Sequence, residues 1–479
     1  MSGVTEQFEQ NSRQFPGELV NDVHSRLNPT IVKKRVAVKS CQEIIDLIQI
    51  AHSDGDRICI AGGRHAMGGQ QFLTSGLLID TNAMKNIIDF DYEHGLIKLE
   101  GGIFWTDLIS YLQKEQQGKD HQWTIAQKQT GGDNLSIAGS ISANGHGRGL
   151  SMPPLVADVE SFELILQDGE IVECSRDENI ELFSLAIGGY GMFGVIASVT
   201  LRLIPRRKLR RTVELVSADE AIEKLEFYKS TGAAYGDFQF SIDHKSKDFL
   251  SKGILSVYTP ADEMQEPSPN NKLLSLENWR QLLYLAHTNK SVAFDKYVNH
   301  YLATNGQLYW SDTFQLATYL EDYHKALDEK LPGCCQGTEM ISELYVPRNK
   351  LGDFMRDAGK LLRQGCADVI YGTVRIIEKD NETFMPWAKQ RYACTVINLH
   401  VEHTPHQIAW ASKAFCDLIS LAISFGGSYF LTYHRFAGRD QLLTCYPEMP
   451  EFIKHKTNYD PKGLFWSDWF EHCNKLITE

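Results

Sequence analysis

A chain of 479 residues is too long for one ordinary hydrophobic core, so two or three domains are expected. A hydrophobic content of 43% and a charged content of 23% are those of a globular protein and exclude collagen, coiled-coil and disordered classes. The net charge of −13 argues against broad nucleic-acid or anionic-membrane binding, because a phosphate surface is held by cationic side chains.

The opening residues, MSGVTEQFEQNSRQF, carry neither the basic nor the apolar region of a secretory signal. No run of eighteen apolar residues occurs, so no membrane span is expected. Ten cysteines without CxxC spacing, including the adjacent Cys334 and Cys335, fit reduced thiols in a cytoplasmic protein. From about 30 to 205 the pattern alternates. PTIVKKRVAV reads as strand, SCQEIIDLIQIAHSDG as a helix capped by Ser40 with Glu43 in the capping-box position, and RICIAG, GLLIDT and GLIKLEGG as strands. IFWTDLISYLQKEQ is helical, and VESFELILQDGEIVECS is a hairpin about Asp168-Gly169.

MFGVIASVTLRLIP closes this block as a strand ending at Pro205, and the basic run RRKLRR after it reads as a solvated edge. Further on, TPADEMQEPSPNNK (259–272) reads as a surface loop. NWRQLLYLAHT and LGDFMRDAGKLLRQ are helical, and DVIYGTVRIIE and ACTVINLHVE are strands. FCDLISLAISFGGSYFL is a buried helix leading into a strand, and the tail from YPEMPEF onward is helix, turn and a short aromatic end.

Three glycine-rich strings stand out. In the first, ICIAGGRHAMGGQQF (58–72), glycines bring main-chain amides close to an anion, with Arg64 and His65 among them. It lacks the GxxxxGK[ST] of a Walker loop, and it runs on into a strand rather than into the helix that a Rossmann GxGxxG opens. The second, TGGDNLSIAGSISANGHGRG (130–149), is built of small residues that let a strand and loop lie against a flat ring or a phosphate chain. The third, IGGYGMFGVIASVTL, leads into a strand. LHVEHTPHQ offers His400, Glu402, His403 and His406, but only the first two share a strand face. It reads as a strand end with solvated histidines, so no metal site is expected. No GxSxG string is present.

In this order, and with YDPKGLFWSDW near the end, these strings resemble the vanillyl-alcohol oxidase/p-cresol methylhydroxylase (PCMH-type) superfamily of FAD-dependent oxidoreductases, closest to its aldonolactone and alditol oxidases and decaprenylphosphoryl-ribose oxidase. The resemblance implies an α+β, two-domain PCMH-type fold. The FAD-binding domain would span 1–205 (about 28–205), an inserted antiparallel-sheet substrate or cap domain 206–427, and a segment returning to the FAD domain 428–479. It further implies that the first loop wraps the FAD pyrophosphate, from Ala61 through Gly62, Gly63, Arg64, His65, Ala66, Met67, Gly68 and Gly69 to Gln70. Gly131, Ser136, Ile137, Ala138, Gly139, Ala143, Asn144, Gly145 and His146 would line the isoalloxazine and ribityl chain. Val195 or Ile196 would meet the adenine end.

In covalent members of that superfamily a histidine at the position of His65 is joined to the flavin 8α-methyl. The alternative is that His65 only hydrogen-bonds a phosphate or a carbonyl. Gly145 matches a position that governs dioxygen access, where a glycine is permissive. His146, Glu343 in SELYVP, Arg375 in TVRIIEKD and His434 are the implied catalytic groups. Tyr433 stands where relatives carry a lysine near flavin N1, so His434 or Arg435 is expected to provide the positive charge there. The implied reaction is oxidation of a CH–OH group in a polyol, aldonolactone or sugar-alcohol substrate, with dioxygen or another acceptor taking the electrons. A flavin-binding electron-transfer or docking module without its own substrate is the competing reading.

Overall fold

The computed structural model describes residues 17–317, 320, 323–331 and 335–478. The opening stretch read for a signal, and Cys334 of the adjacent pair, lie outside the described residues. Cys59, Cys174, Cys394, Cys445 and Cys473 are buried thiols.

Three layers position the site. In the first, strands Lys34–Ala37, Leu77–Asp80 and Ile58–Ala61 form a parallel sheet whose central strand is Leu77–Asp80. Helix Cys41–Asp54 buries Ile44, Ile48 and Ala51 against it. Ser40 caps this helix by accepting from the Glu43 amide, while the Glu43 carboxylate takes the Lys39 amide, so the capping box closes one residue early. Between Ile58–Ala61 and Leu77–Asp80 the glycine loop returns without a helix. The tail docks on the same sheet, where Ile58 exchanges backbone hydrogen bonds with Leu464 and Trp466 and Arg57 lies over the Trp466 ring at 4.4 Å.

The second layer is antiparallel, in the order Ile171–Ser175, Val159–Ile165, Val195–Pro205, Leu96–Glu100, Ile87–Asp91, with Trp123–Ile125 pairing the end of Val195–Pro205. The hairpin about Asp168-Gly169 is present, pairing Ile171 with Ile165. The third layer, among the described residues, is an eight-stranded antiparallel sheet. Its order is Leu308–Trp310, Lys208–Ser217, Lys252–Pro260, Tyr235–Phe240, Val369–Ile377, Tyr392–Glu402, Gly337–Pro347, Ser428–Tyr429. Helix Leu351–Gln364 lies over it, burying Leu351, Phe354, Met355, Ala358 and Leu362 at helical spacing. The largest apolar cluster draws on both antiparallel sheets, including Leu99, Val199, Leu255, Val374 and Leu399. No described helix is long and apolar enough to cross a membrane.

Three expectations fail here. The second glycine string is not a strand: Ile137–Ser142 is a short helix with Ser136 as its N-cap. The run RRKLRR is not a solvated edge, because it opens strand Lys208–Ser217 inside the large sheet. Arg206 there reaches Asp312 at 2.7 Å, and the Arg211 guanidinium packs 4.4 Å from the Tyr309 ring centre. The aromatic end of the tail continues into helix Asp468–Thr478.

Candidate active site

A cavity of about 780 Å³ lies where the three layers meet. That volume suits a large cofactor and a small substrate. Its floor is made by the glycine strings: Gly62 to Ala66 and Gln70 from the first, Gly131, Ser136, Ala138, Gly139, Ala143 and Gly145 from the second. Gly191, Gly194 and Ile196 of the third string line it as well. A methyl group on Gly62 would collide with the Ser136 hydroxyl, so the first loop and the N-cap of the short helix touch through bare backbone. Arg64 holds φ 57°, and its buried Nε has no hydrogen-bond partner among the described residues. A strained cation with an unused donor in a glycine cradle fits an anionic group such as a pyrophosphate.

Other expected cofactor residues stand behind this surface. Ala61, Met67, Gly68, Gly69, Ile137, Asn144 and Val195 do not line the cavity. The Asn144 side chain instead donates to Asp380 at 2.9 Å and accepts from the Val156 amide, tying the loop to the segment that follows the strand carrying Arg375. Of the pair Val195 and Ile196, it is Ile196 that faces the cavity, because successive strand residues point to opposite sides.

His65 is half-buried, lines the cavity and lies 2.9 Å from His24 through Nδ1. Burial, helped by His24 and Arg64, lowers its pKa to about 3, so the imidazole is neutral at physiological pH.

The polar centre sits under the cavity wall. His146 and Glu343 are both fully buried, with His146 Nε2 2.5 Å from Glu343 Oε1. The other ring nitrogen of His146 is 3.0 Å from the Gly147 carbonyl. Both nitrogens therefore face oxygens, which fixes the imidazole between the carbonyl and the carboxylate. The Tyr433 hydroxyl donates to Glu343 Oε2 at 3.4 Å and accepts from the Gln129 amide at 3.3 Å. Burial pushes the Glu343 carboxyl up, but His146, Arg375 and Tyr433 together hold it below its usual range. Burial and the nearby Glu343 raise the Tyr433 phenol well above its own.

Arg375 lines the cavity with Nε and Nη1 buried and without hydrogen-bond partners among the described residues. The acids that follow it in sequence are engaged elsewhere: Glu378 with Lys229, Arg348 and Arg391, and Asp380 with Asn144 and Thr383. Tyr433 and Arg375 thus reach the cavity directly, while His146 and Glu343 stand one shell behind them.

His434 is a correction. It lies outside the cavity, stacked at 4.8 Å on Phe415 and 5.0 Å on Phe436, with Nε2 3.2 Å from the Ser342 hydroxyl. Burial lowers its pKa to about 3, so it is neutral and provides no positive charge. Arg435 does not line the cavity either, whereas Arg375 does. Sequence reasoning missed Gln129, which receives the His146 amide through Oε1 and anchors Tyr433. Its signal was the polar QKQ immediately before the second glycine string. Of the histidines of LHVEHTPHQ, His406 is exposed as expected, whereas His400 packs against Glu339 and His403 lines the cavity.

Residues 32–175 match the family of the FAD binding domain. The chain is 25% identical over 459 residues, 95% of its length and 97% of the relative's, to the L-gulono-1,4-lactone dehydrogenase of Mycobacterium tuberculosis. It is 26% identical over 187 residues to the L-gulonolactone oxidase of Bos taurus, covering 39% of this chain and 41% of that protein. It is 29% identical over 178 residues to the mitochondrial L-galactono-1,4-lactone dehydrogenase of Brassica oleracea, covering 37% and 28%. With the FAD binding domain accounting for the glycine cradle, the chain is an FAD-dependent oxidoreductase that is similar, at modest identity, to aldonolactone oxidoreductases.

Proposed function

We propose that the protein oxidises a CH–OH group of an aldonolactone, polyol or related sugar alcohol. The observation that carries this reading is the meeting, in one cavity, of the glycine cradle with Arg375 and the Tyr433–Glu343–His146 chain. FAD, when bound, supplies the two-electron oxidation by accepting hydride from the substrate carbon. Arg375 holds the reacting oxygen through its two unused donors and stabilises negative charge on it. The Tyr433 oxygen takes the hydroxyl proton as its own passes to Glu343 Oε2, while His146 holds the carboxyl in place through Oε1. Residues 206–427 act as a cap over the substrate, a division supported by their folding mainly as one antiparallel sheet whose strands line the cavity.

His65 is the attachment point for a covalent flavin. Its neutral state supports this, because only an unprotonated ring nitrogen can be alkylated. The electron acceptor is dioxygen or another oxidant. The relatives include proteins named as oxidases and as dehydrogenases, and Gly145 leaves little spare room, since a methyl there would sit 3.3 Å from Gln129 Oε1. The test is anaerobic mixing of the purified protein with aldonolactones and polyols. Bleaching of the flavin band by one of them supports the reading, and no bleaching across the panel favours a flavin module without its own substrate. Acid denaturation tests the His65 bond separately, as colour that stays with the polypeptide in the native chain and leaves it in His65→Ala.

A further inference from the structure

Beyond the oxidation site, the same sheet face carries a second constellation. Glu339 and His400 are direct cross-strand partners, which brings their side chains together on one face. Glu339 lies four residues from Glu343, about 14 Å along the strand at ~3.4 Å per residue, so this cluster is separate from the His146–Glu343 pair. Helix Leu276–Thr288 delivers His287 to the same carboxylate. His287 Nε2 lies 3.2 Å, and His400 Nδ1 3.4 Å, from Glu339 Oε1, and the three atoms fall within 4.8 Å of one another. His324 Nε2 lies in close ion-pair contact with the other carboxylate oxygen.

These separations are informative. Donors held at ~2.1 Å from one ion at the tetrahedral angle stand about 3.4 Å apart, which is the spacing seen here. His400 Nδ1 is hydrogen-bonded to Glu339 Oε1, but the cluster does not satisfy all of its members. His287 Nε2 is buried and makes no hydrogen bond among the described residues, despite its closeness to the carboxylate. Burying two imidazoles about one carboxylate oxygen gives a nitrogen-rich set suited to a first-row divalent ion rather than to calcium or magnesium. The contact from His324 fixes the carboxylate so that Oε1 faces the two rings.

We propose that His287 Nε2, His400 Nδ1 and Glu339 Oε1 bind a divalent transition-metal ion, Zn²⁺ being the type case, at the rim of the cavity that Glu339 lines. The ion fastens helix Leu276–Thr288 to the two longest strands of the large sheet, and its fourth position is left for water or a further ligand. This role is independent of hydride chemistry, so loss of metal and loss of flavin reduction are separate results.

The experiment uses the FAD-loaded full chain, stripped with a strong chelator, dialysed and titrated with Zn²⁺, and with Co²⁺ as a visible probe. One equivalent is expected to bind, with Co²⁺ bands at longer wavelength than the flavin and a rise in melting temperature at saturation. His400→Ala and His287→Asn are each expected to weaken binding by at least ~10-fold. Flavin absorbance reports that each variant is folded. The buried set His146, Glu343 and Cys394 is the competing location, and Cys394→Ser is the control for it. The proposal is overturned if the stripped chain binds well under one equivalent, if both histidine variants bind like the native chain, or if binding is lost on Cys394→Ser and kept on His400→Ala.

Discussion

Glu343 and His434 show how burial gives two titratable groups opposite meanings. Glu343 is buried beside His146, Arg375 and Tyr433 and stays ionised below the usual carboxylate range. Replacing it as Glu343→Gln keeps the shape but removes the proton acceptor, and flavin reduction by substrate is expected to slow ~10²- to 10⁴-fold with FAD still bound. Rapid-mixing kinetics at constant flavin absorbance check this. Because its folded pKa is depressed, the native pair's contribution to stability is present above the normal carboxylate value and lost only as pH falls through the lowered one.

His434 changes stability in the same direction with pH, but because its neutral form is the one that burial holds. It is neutral in the folded chain down to about pH 3, whereas the unfolded chain takes up its proton near pH 6.5. Its burial therefore costs nothing at neutral pH and destabilises progressively as pH drops from 6.5 toward 3. His434→Phe is expected to flatten the fall of melting temperature across that window, less ~1 kcal/mol for the lost Ser342 contact. Turnover should be retained. Unchanged acid sensitivity would show that the imidazole is not held neutral. The histidine could be found in the sequence but its direction could not, since Tyr433 and His434 are neighbours and only the tyrosine faces the cavity.

At the scale of elements, the cradle depends on close approach between the first glycine loop and the short helix Ile137–Ser142. A methyl on Gly62 meets the Ser136 hydroxyl. Gly62→Ala is expected to cost ~1–3 kcal/mol of stability and to weaken FAD retention. Adding Ser136→Ala should recover part of this by removing the obstructing oxygen, although the lost N-cap itself costs ~1 kcal/mol. Thermal melts and flavin content of the single and double variants measure the coupling. That the glycine strings gather was legible from their small residues; that one of them is helical was not. A run of Ile, Ala, Gly and Ser has too few large apolar side chains to show a helical period.

At the scale of the molecule, the tail completes the first sheet. Asp460 accepts the Leu464 and Phe465 amides and pairs with buried Lys456, which sets the turn that lays Leu464–Trp466 beside strand Ile58–Ala61. Burial lowers the Lys456 pKa to about 8, Asp460 opposing the shift. Asp460→Ala leaves that ammonium unpaired and the turn amides unmet, and a loss of ~3–5 kcal/mol is expected in chemical denaturation. FAD should be lost along with it, because the strand that unpairs is the one feeding the glycine loop.

The sequence by itself determined most of the strands through residue 205, the three glycine strings, the kind of cofactor they hold, and strands Val369–Ile377 and Tyr392–Glu402 of the large sheet with helix Leu351–Gln364. Those features are local: apolar spacing, turn residues and small side chains act within a few positions of one another. What only the tertiary structure decided is which polar groups face one another. Gln129 beneath Tyr433, Arg211 among tyrosines, and Glu339 against His287 and His400 are pairings between distant segments. They are set by strand register and by which side of a turn a side chain leaves, and a one-residue change in either reverses the face without altering the local pattern.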